Sequence, residues 1–289
     1  MVRSLAVAAA LWSLAASAWA QAPPAAGAAP TQTTTPVAKP AAKKPAPKAK
    51  AAVSPVGPAE SGPCQIGVIS AVGDRFTLQH IGLTVFGNEF TEAPIESWGL
   101  DDLVVTRVRA AAVGSSVRRI AYSRGAFEPY YHPPKQLFRD ASNDLPAVVR
   151  QIAMNANCGR YLVITRSGGQ VAGTNQIAEG IGVLTNWSSG AFKKGALFAF
   201  IRVTVFDGKT FAKHEDPLGG FGARLAASLS KLTKDENFQS LDDFEAPATP
   251  EAVASNVRLR DGARAMLAAR LDKILPTYLN GSTDSSNAQ

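Results

Sequence analysis

The sequence predicts an α/β domain: a mixed parallel/antiparallel sheet with a late β-hairpin, flanking helices and a C-terminal helix. Three stretches carry that expectation. Ala196–Lys213 reads ALFAFIRVTVFDGKTFAK and alternates with the period of a strand. Leu197, Ala199, Ile201, Val203 and Val205 fall on one face; Phe198, Phe200, Arg202, Thr204 and Phe206 fall on the other. Both faces carry apolar side chains, so the sheet needs cover on both sides. Asp207-Gly208 then interrupts, and Thr210-Phe211-Ala212 resumes an extended pattern. Asp-Gly between apolar strands signals a hairpin, because glycine takes positive φ without a Cβ penalty. The second stretch is Asp144–Asn157 followed by RYLVITR at Arg160–Arg166. An amphipathic helix leading into a short, nearly continuous apolar strand suits a buried parallel position. The third is Thr249-Pro250-Glu251, a helix start with Thr as cap and Pro in the first position.

In chain order, residues 1–20 read as a signal peptide. Arg3 supplies the positive end, Leu5–Leu14 the apolar run, and Ala18-Trp19-Ala20 the small residues of a cleavage site before Gln21. The run is short for a bilayer span of roughly 20 residues. No Cys follows the site, which excludes a lipoprotein signal, and no later stretch is long and apolar enough to span. The expected product is periplasmic or secreted, cleaved after Ala20, and the Ala-rich signal points to a bacterial periplasm.

Residues 21–62 are built from Ala, Pro, Thr and Lys. They lack the apolar surface to offset chain entropy, so a disordered linker with polyproline-II character is expected. This linker also holds much of the charge. The chain has 30 Lys and Arg against 23 Asp and Glu, net +7. Taking away Arg3, the linker lysines (39, 43, 44, 48 and 50) and Glu60 leaves the folded part at +2. The basic balance therefore belongs to the tail and argues against a nucleic-acid-binding domain. Weak contact of the linker with an anionic surface is the partner it suggests.

An α/β domain is expected over 63–216, a helical C-terminal extension packed on it over 217–280, and a disordered tail over 281–289. Gln65–Val72 is the opening strand and Gly73-Asp74-Arg75 its turn. Phe76–His80 and Leu83–Phe86 are short extended pieces, and Asn88–Ser97 a loop. Trp98–Val113 is a helix with Leu100, Val104, Val108 and Ala111 inward, Ser97 as cap, and Asp101 and Asp102 at the positive end of its dipole. Ser116–Ser123 is a strand, and Arg124–Asn143 a long aromatic and Pro-rich segment. In the next helix Pro146 sits in the first turn, with Val148, Val149, Ile152 and Ala156 as the apolar stripe. Ser167–Thr174 is Gly-rich and Gln176–Thr185 a strand. Phe221–Leu232 is weakly helical and Asp235–Ala248 acidic and irregular. The last helix is expected to run to Leu275, buried through Val253, Val257, Ala265, Leu267, Leu271 and Ile274, with Gly262 as a possible break and Pro276 as its end.

Cys64 precedes the first strand and Cys158 precedes RYLVITR. Were those strands parallel neighbours, both sulfurs would meet at one end of the sheet, and export supplies the oxidising setting for a disulfide.

Catalytic signals are sparse. His80, His132 and His214 lie at no metal or triad spacing; CxxC, HExxH, GxSxG and phosphate-loop patterns do not occur. Ser228-Leu229-Ser230-Lys231 matches SxxK, but the companion motifs fail: Ser142-Asn143-Asp144 is not SDN, and Phe follows Lys209-Thr210. The glycines between Gly168 and Gly190 lack dinucleotide-binding order. No catalytic residue, metal or cofactor is assigned. The binding candidates lie in the aromatic loop, Phe127, Tyr130, Tyr131, His132 and Arg139, because exposed Tyr and Arg favour interfaces; packing of the loop onto its own domain is the equal alternative. The hairpin tip near Asp207 is the other candidate.

The order IGVISAV, helix, VRRIAYS, helix, RYLVITR and ALFAFIRVTVFDGKTFA resembles the small α/β domain of Gram-negative periplasmic accessory proteins. These include the amino-terminal domain of the Tol-system propeller protein, the activators of penicillin-binding proteins and the curli-secretion lipoproteins. The resemblance covers Gln65–Lys213 and carries over no functional residue. It implies a non-catalytic partner-binding module, with an envelope protein as partner. An exported hydrolase using Asp or Glu above the Gly-rich segment is the alternative, and self-assembly through the late sheet a third.

Overall fold

Two segments of chain, 64–81 and 195–207, each bend in the middle and contribute to two sheets at once in the computed structural model. It describes residues 62–82, 88–133, 143–171, 176–186, 195–219 and 236–280. The first half of the domain holds β1 (Cys64–Ala71), β2 (Arg75–Ile81), β3 (Glu89–Pro94), α1 (Leu100–Ala111), β4 (Val117–Arg119), α2 (Glu128–Tyr131) and α3 (Asp144–Ala153). The second half holds β5 (Cys158–Arg166), β6 (Gly168–Gln170), β7 (Ile177–Glu179), β8 (Ile181–Asn186), β9 (Gly195–Ala199), β10 (Ile201–Asp207) and β11 (Phe238–Leu241). Two helices close the chain, α4 (Pro250–Ala254) and α5 (Val257–Asn280). The expected strand 83–86, the helix 221–232 with Ser228–Lys231, and Arg139 lie outside the described residues, as do the signal peptide and nearly all of the linker.

The first sheet has the order β10-β5-β1-β4 and the second β11-β9-β8-β2-β3. β1 is parallel to both β4 and β5, and β2 is parallel to β8. β10 and β9 return antiparallel along β5 and β8. The mixed sheet is thus confirmed; 64–81 and 195–207 each pass from one sheet into the other, while β5 leads into a separate two-stranded sheet of β6 and β7. Residues 196–206, which read as one strand, turn at Phe200 into β9 and β10. Their alternation survives the turn. Leu197, Ala199, Ile201, Val203 and Val205 all enter the main core. The opposite face divides: Phe198 and Phe200 join a cluster over the second sheet, and Phe206 one over the first.

α1 and α5 fill the side that both sheets share. α5 buries Leu259, Ala263, Leu267, Leu271, Leu275 and Leu279, a ridge at four-residue spacing. Each buried Leu is worth roughly 2 kcal/mol relative to exposure. Val257 and Ala265, expected inside, are exposed. Gly262 does not interrupt the helix: a Cβ there would stand 2.4 Å from Leu197 Cδ1, so the glycine permits close packing on β9. Pro276 does not end it. Its position is exposed, so the carbonyl its missing N–H leaves unpaired meets water. The break falls earlier. Ser255 Oγ bonds back to Glu251 O at 3.0 Å, and Asn256 Oδ1 accepts from Leu259 N at 3.0 Å and starts the next helix. Thr249 caps α4 as expected, accepting from Ala252 N at 3.2 Å.

Two strands replace expected loops. β3 is a second-sheet edge carrying Pro94, and of its residues only Ala93 is buried. β11, in the acidic segment, pairs with β9 and buries Leu241. Both are edge strands that bury one residue, so neither shows a long alternation. The first-turn acids of α1 are present, but its cap is Gly99 and makes no side-chain bond. The expected strand Ser116–Ser123 shortens to β4.

Cys64 and Cys158 face one another in the β1–β5 register and are joined as a disulfide across 94 residues of sequence. The bond ties the entry of the domain to its central strand.

Candidate functional site

β10 is the outer strand of the first sheet, and its backbone alternates between a paired and an open side. Arg202, Thr204 and Phe206 stand opposite Thr165, Val163 and Tyr161 of β5. Phe200, just before them, accepts from Ser167 N at 3.0 Å on that same inner side. Ala199, Ile201, Val203, Val205 and Asp207 therefore turn their polar groups outward. Ala199 N reaches Asn237 O at 3.1 Å, Val205 O accepts from His214 N at 2.9 Å, and Asp207 N donates to Ala212 O at 2.9 Å. Between those anchors, the outward N–H and C=O of Ile201 and Val203 and the N–H of Val205 have no backbone partner among the described residues.

A cleft of about 280 Å³ runs along this stretch. β10 gives its floor from Arg202 to Val205, and His214–Asp216 with Tyr278 of α5 give its walls. Tyr278 donates its hydroxyl to Asp216 Oδ1 at 2.8 Å, which also accepts from Leu218 N at 3.0 Å. Burial raises the Tyr278 hydroxyl above its ordinary range, as does Asp216, so it stays a donor. Arg202, Lys213, His214 and Glu215 are exposed. Lys213 bridges to Phe206 and so shares a face with Arg202.

The hairpin tip forms differently from the expected turn. Asp207 Oδ1 accepts from Lys209 N at 3.0 Å, Thr210 N at 2.7 Å and Thr210 Oγ1 at 2.8 Å. The Thr210 and Lys209 bonds lower its carboxyl to about 2. The positive φ falls on Phe211, at 57°, and not on Gly208. Gly208 answers to crowding, since a Cβ there would stand 2.0 Å from Cys158 O. Among the described residues the return arm pairs with β10 through the single bridge Phe206–Lys213.

The aromatic loop turns inward. Phe127 is 3% exposed and packs edge-on against Tyr122 at 5.1 Å. Tyr131 donates to Ala71 O at 3.0 Å and accepts from Arg166 N at 3.0 Å, while the Arg166 guanidinium lies 4.2 Å above its ring. Burial raises the Tyr131 hydroxyl above its ordinary range. Tyr130 stacks obliquely on Tyr131 at 5.2 Å, and of the binding candidates among the described residues only His132 is exposed. Phe127 and Tyr131, read as contact residues, thus serve the loop's own attachment.

Beneath the loop, carboxylates hold the bend between the sheets. Arg166 is buried, 3.4 Å from Glu92 and 3.9 Å from Asp74. Burial alone would lower its pKa; Asp74, Tyr131 and Glu92 reverse the sign and raise it. Arg75 pairs with Glu92 at 2.8 Å and with Glu128 of the loop. Asp101 closes the β1–β2 turn, accepting from Ser70 Oγ at 2.6 Å and from the N–H groups of Val72 and Gly73 at 3.3 and 3.1 Å. Burial pushes its carboxyl up to about 6, against the bonds from Ser70 and Val72. Among the described residues, no group of three or more His, Cys, Asp or Glu could hold a metal ion.

The sequence signal for the β10 edge was Arg202. A charge within an otherwise apolar strand is one of the devices that edge strands carry.

No family model matches the chain, and no curated protein matches it by sequence. By structure it is similar to the crystal structure of a Xanthomonas campestris protein of family model DUF330, with 10% identity and a TM-score of 0.31 over 76% of this chain and 89% of that one.

Proposed function

We propose that the chain is an exported, non-catalytic accessory or binding protein of a bacterial envelope: a signal peptide, a basic tether and one α/β domain that contacts an envelope protein. The Cys64–Cys158 bond carries the reading. A disulfide within the central register belongs to an oxidising compartment, which agrees with the signal-like Met1–Ala20 and cleavage after Ala20. The binding role is supported by the cleft of about 280 Å³ beside Arg202–Val205 of β10. The non-catalytic role is supported by the duties of the perturbed groups: Asp101, Tyr131 and Arg166 each hold a turn, a loop or a bend.

Capture from envelope extract by the disulfide-bonded chain, with and without residues 21–61, tests this. One envelope protein retained by both forms places the interface on the folded domain. Retention only with the linker moves the function to the linker, and retention by neither form contradicts the reading.

A further inference from the structure

We infer that the end of the domain where β1, β4 and β5 begin docks on the surface of an anionic phospholipid bilayer, with Val113 and Met154 entering the headgroup layer and Arg118, Arg150, Arg160 and Lys209 facing its phosphates. The inference goes beyond the binding-protein reading: it assigns a second surface to the folded domain and names what that surface meets.

Topology gathers these residues. β1, β4 and β5 are parallel, so their first residues lie together, and the antiparallel β10 brings its tip, residues 207–211, to the same end. The loops after α1 (112–116) and after α3 (154–157) reach this end from opposite faces of the sheet, because α1 packs in the main core and α3 in the cluster on the other side. Each loop carries an exposed apolar side chain, Val113 at 89% and Met154 at 62%, and neither loop holds an acid. The arginines between them have main-chain acceptors. Arg118 donates to Ala156 O at 3.1 Å and to Gly62 O, Arg150 to Thr210 O at 3.2 Å, and Arg160 to Leu279 O at 3.4 Å. A carbonyl orients a guanidinium without cancelling its charge. Elsewhere in the domain Arg75, Arg119, Arg124 and Arg166 each meet a carboxylate. Lys209 is exposed at the tip, where the one acid, Asp207, spends Oδ1 on three bonds inside the turn. The positive excess of the domain is thus concentrated at one end. The chain that carries the lysines at 39, 43, 44, 48 and 50 joins the domain there, at Gly62, whose carbonyl Arg118 holds. Basic charge alone would suit any polyanion; basic charge together with exposed apolar tips is what holds a protein to a bilayer surface. A protein partner would meet one continuous apolar centre, whereas these tips flank the sheet with charges between them, an arrangement that fits a plane.

The test is co-sedimentation of the disulfide-bonded chain with phosphatidylcholine vesicles, with and without about one third phosphatidylglycerol. Binding should require the anionic lipid and weaken as salt rises. Lys209→Gln should weaken it about fivefold, and Val113→Asp and Met154→Asp about tenfold each. Val257→Asp is the control. It changes a comparably exposed apolar residue at the start of the 24-residue α5, whose last turn lies at the docking end, and should bind as wild type does. All four side chains are exposed, and thermal unfolding reports whether each variant folds. No binding to either vesicle, or equal binding to both, overturns the proposal on the unaltered chain. Wild-type binding by folded Val113→Asp and Met154→Asp also overturns it, because the linker lysines alone would then carry the contact. Val113→Asp that loses capture of an envelope protein and keeps vesicle binding would assign this end to a protein and overturn it too. Capture of an envelope protein by the wild type is read separately, so the binding-protein reading stands or falls on its own.

Discussion

The aromatic loop and the outer edge of β10 offer themselves as contact surfaces in opposite ways. The loop has the residue types of an interface, yet Phe127 is buried and the Tyr131 hydroxyl is bonded on both sides. The edge has mostly small aliphatic residues, yet the outward main-chain groups of Ile201 and Val203 have no backbone partner among the described residues. Residue type alone misjudges both. Aromatic rings near a sheet end bury themselves when their polar tips find main-chain partners. A strand edge stays available when the next segment returns by only one bridge.

The comparison sharpens when the closed region is loosened and the open one left alone. Replacing Cys64 and Cys158 by Ser should cost the most, about 4–5 kcal/mol from the freed chain less any strain relieved, read by denaturant unfolding. Phe127→Ala should follow at about 3–4 kcal/mol, with partner capture unchanged wherever the protein remains folded. Loss of capture in a folded Phe127→Ala would return the interface to the loop.

Asp101→Asn probes the turn by pH. The folded pKa of Asp101 is raised, from 3.8 to about 6, so its stabilising contribution is full below about pH 4 and is lost as pH rises through 6. Asn keeps an acceptor and does not titrate. Wild type should therefore lose on the order of 3 kcal/mol relative to Asp101→Asn between those limits, measured as the difference in unfolding free energy across pH. A flat difference would contradict the assignment. The smallest effect belongs to the edge: Arg202→Glu should change stability by under about 0.5 kcal/mol, read from thermal unfolding. A larger loss would mean that the arginine supports the fold.

Much of this architecture was legible in local pattern. The alternation of 197–206 named the faces correctly even through the sheet change at Phe200, because a bend preserves parity. The parallel approach of Cys64 and Cys158 followed from a helix placed before an apolar strand. What escaped was set by contacts distant in sequence. β3 pairs with nearby β2 but packs against α4, far along the chain, and β11 pairs with β9 and buries Leu241. The break before α5 rested on Asn256, a cap hidden inside a continuous helical pattern. Gly208 was expected for its φ and is needed for its closeness to Cys158. The free edge is a statement about what fails to pair, and a sequence shows it only through Arg202.

Residue-resolved amide hydrogen exchange on the isolated disulfide-bonded chain tests the central claim most directly. Ile201, Val203 and Val205 should exchange faster than Arg202, Thr204 and Phe206, whose amides face β5. Equal protection of both sets without any ligand would show that the edge is already paired and contradict the account.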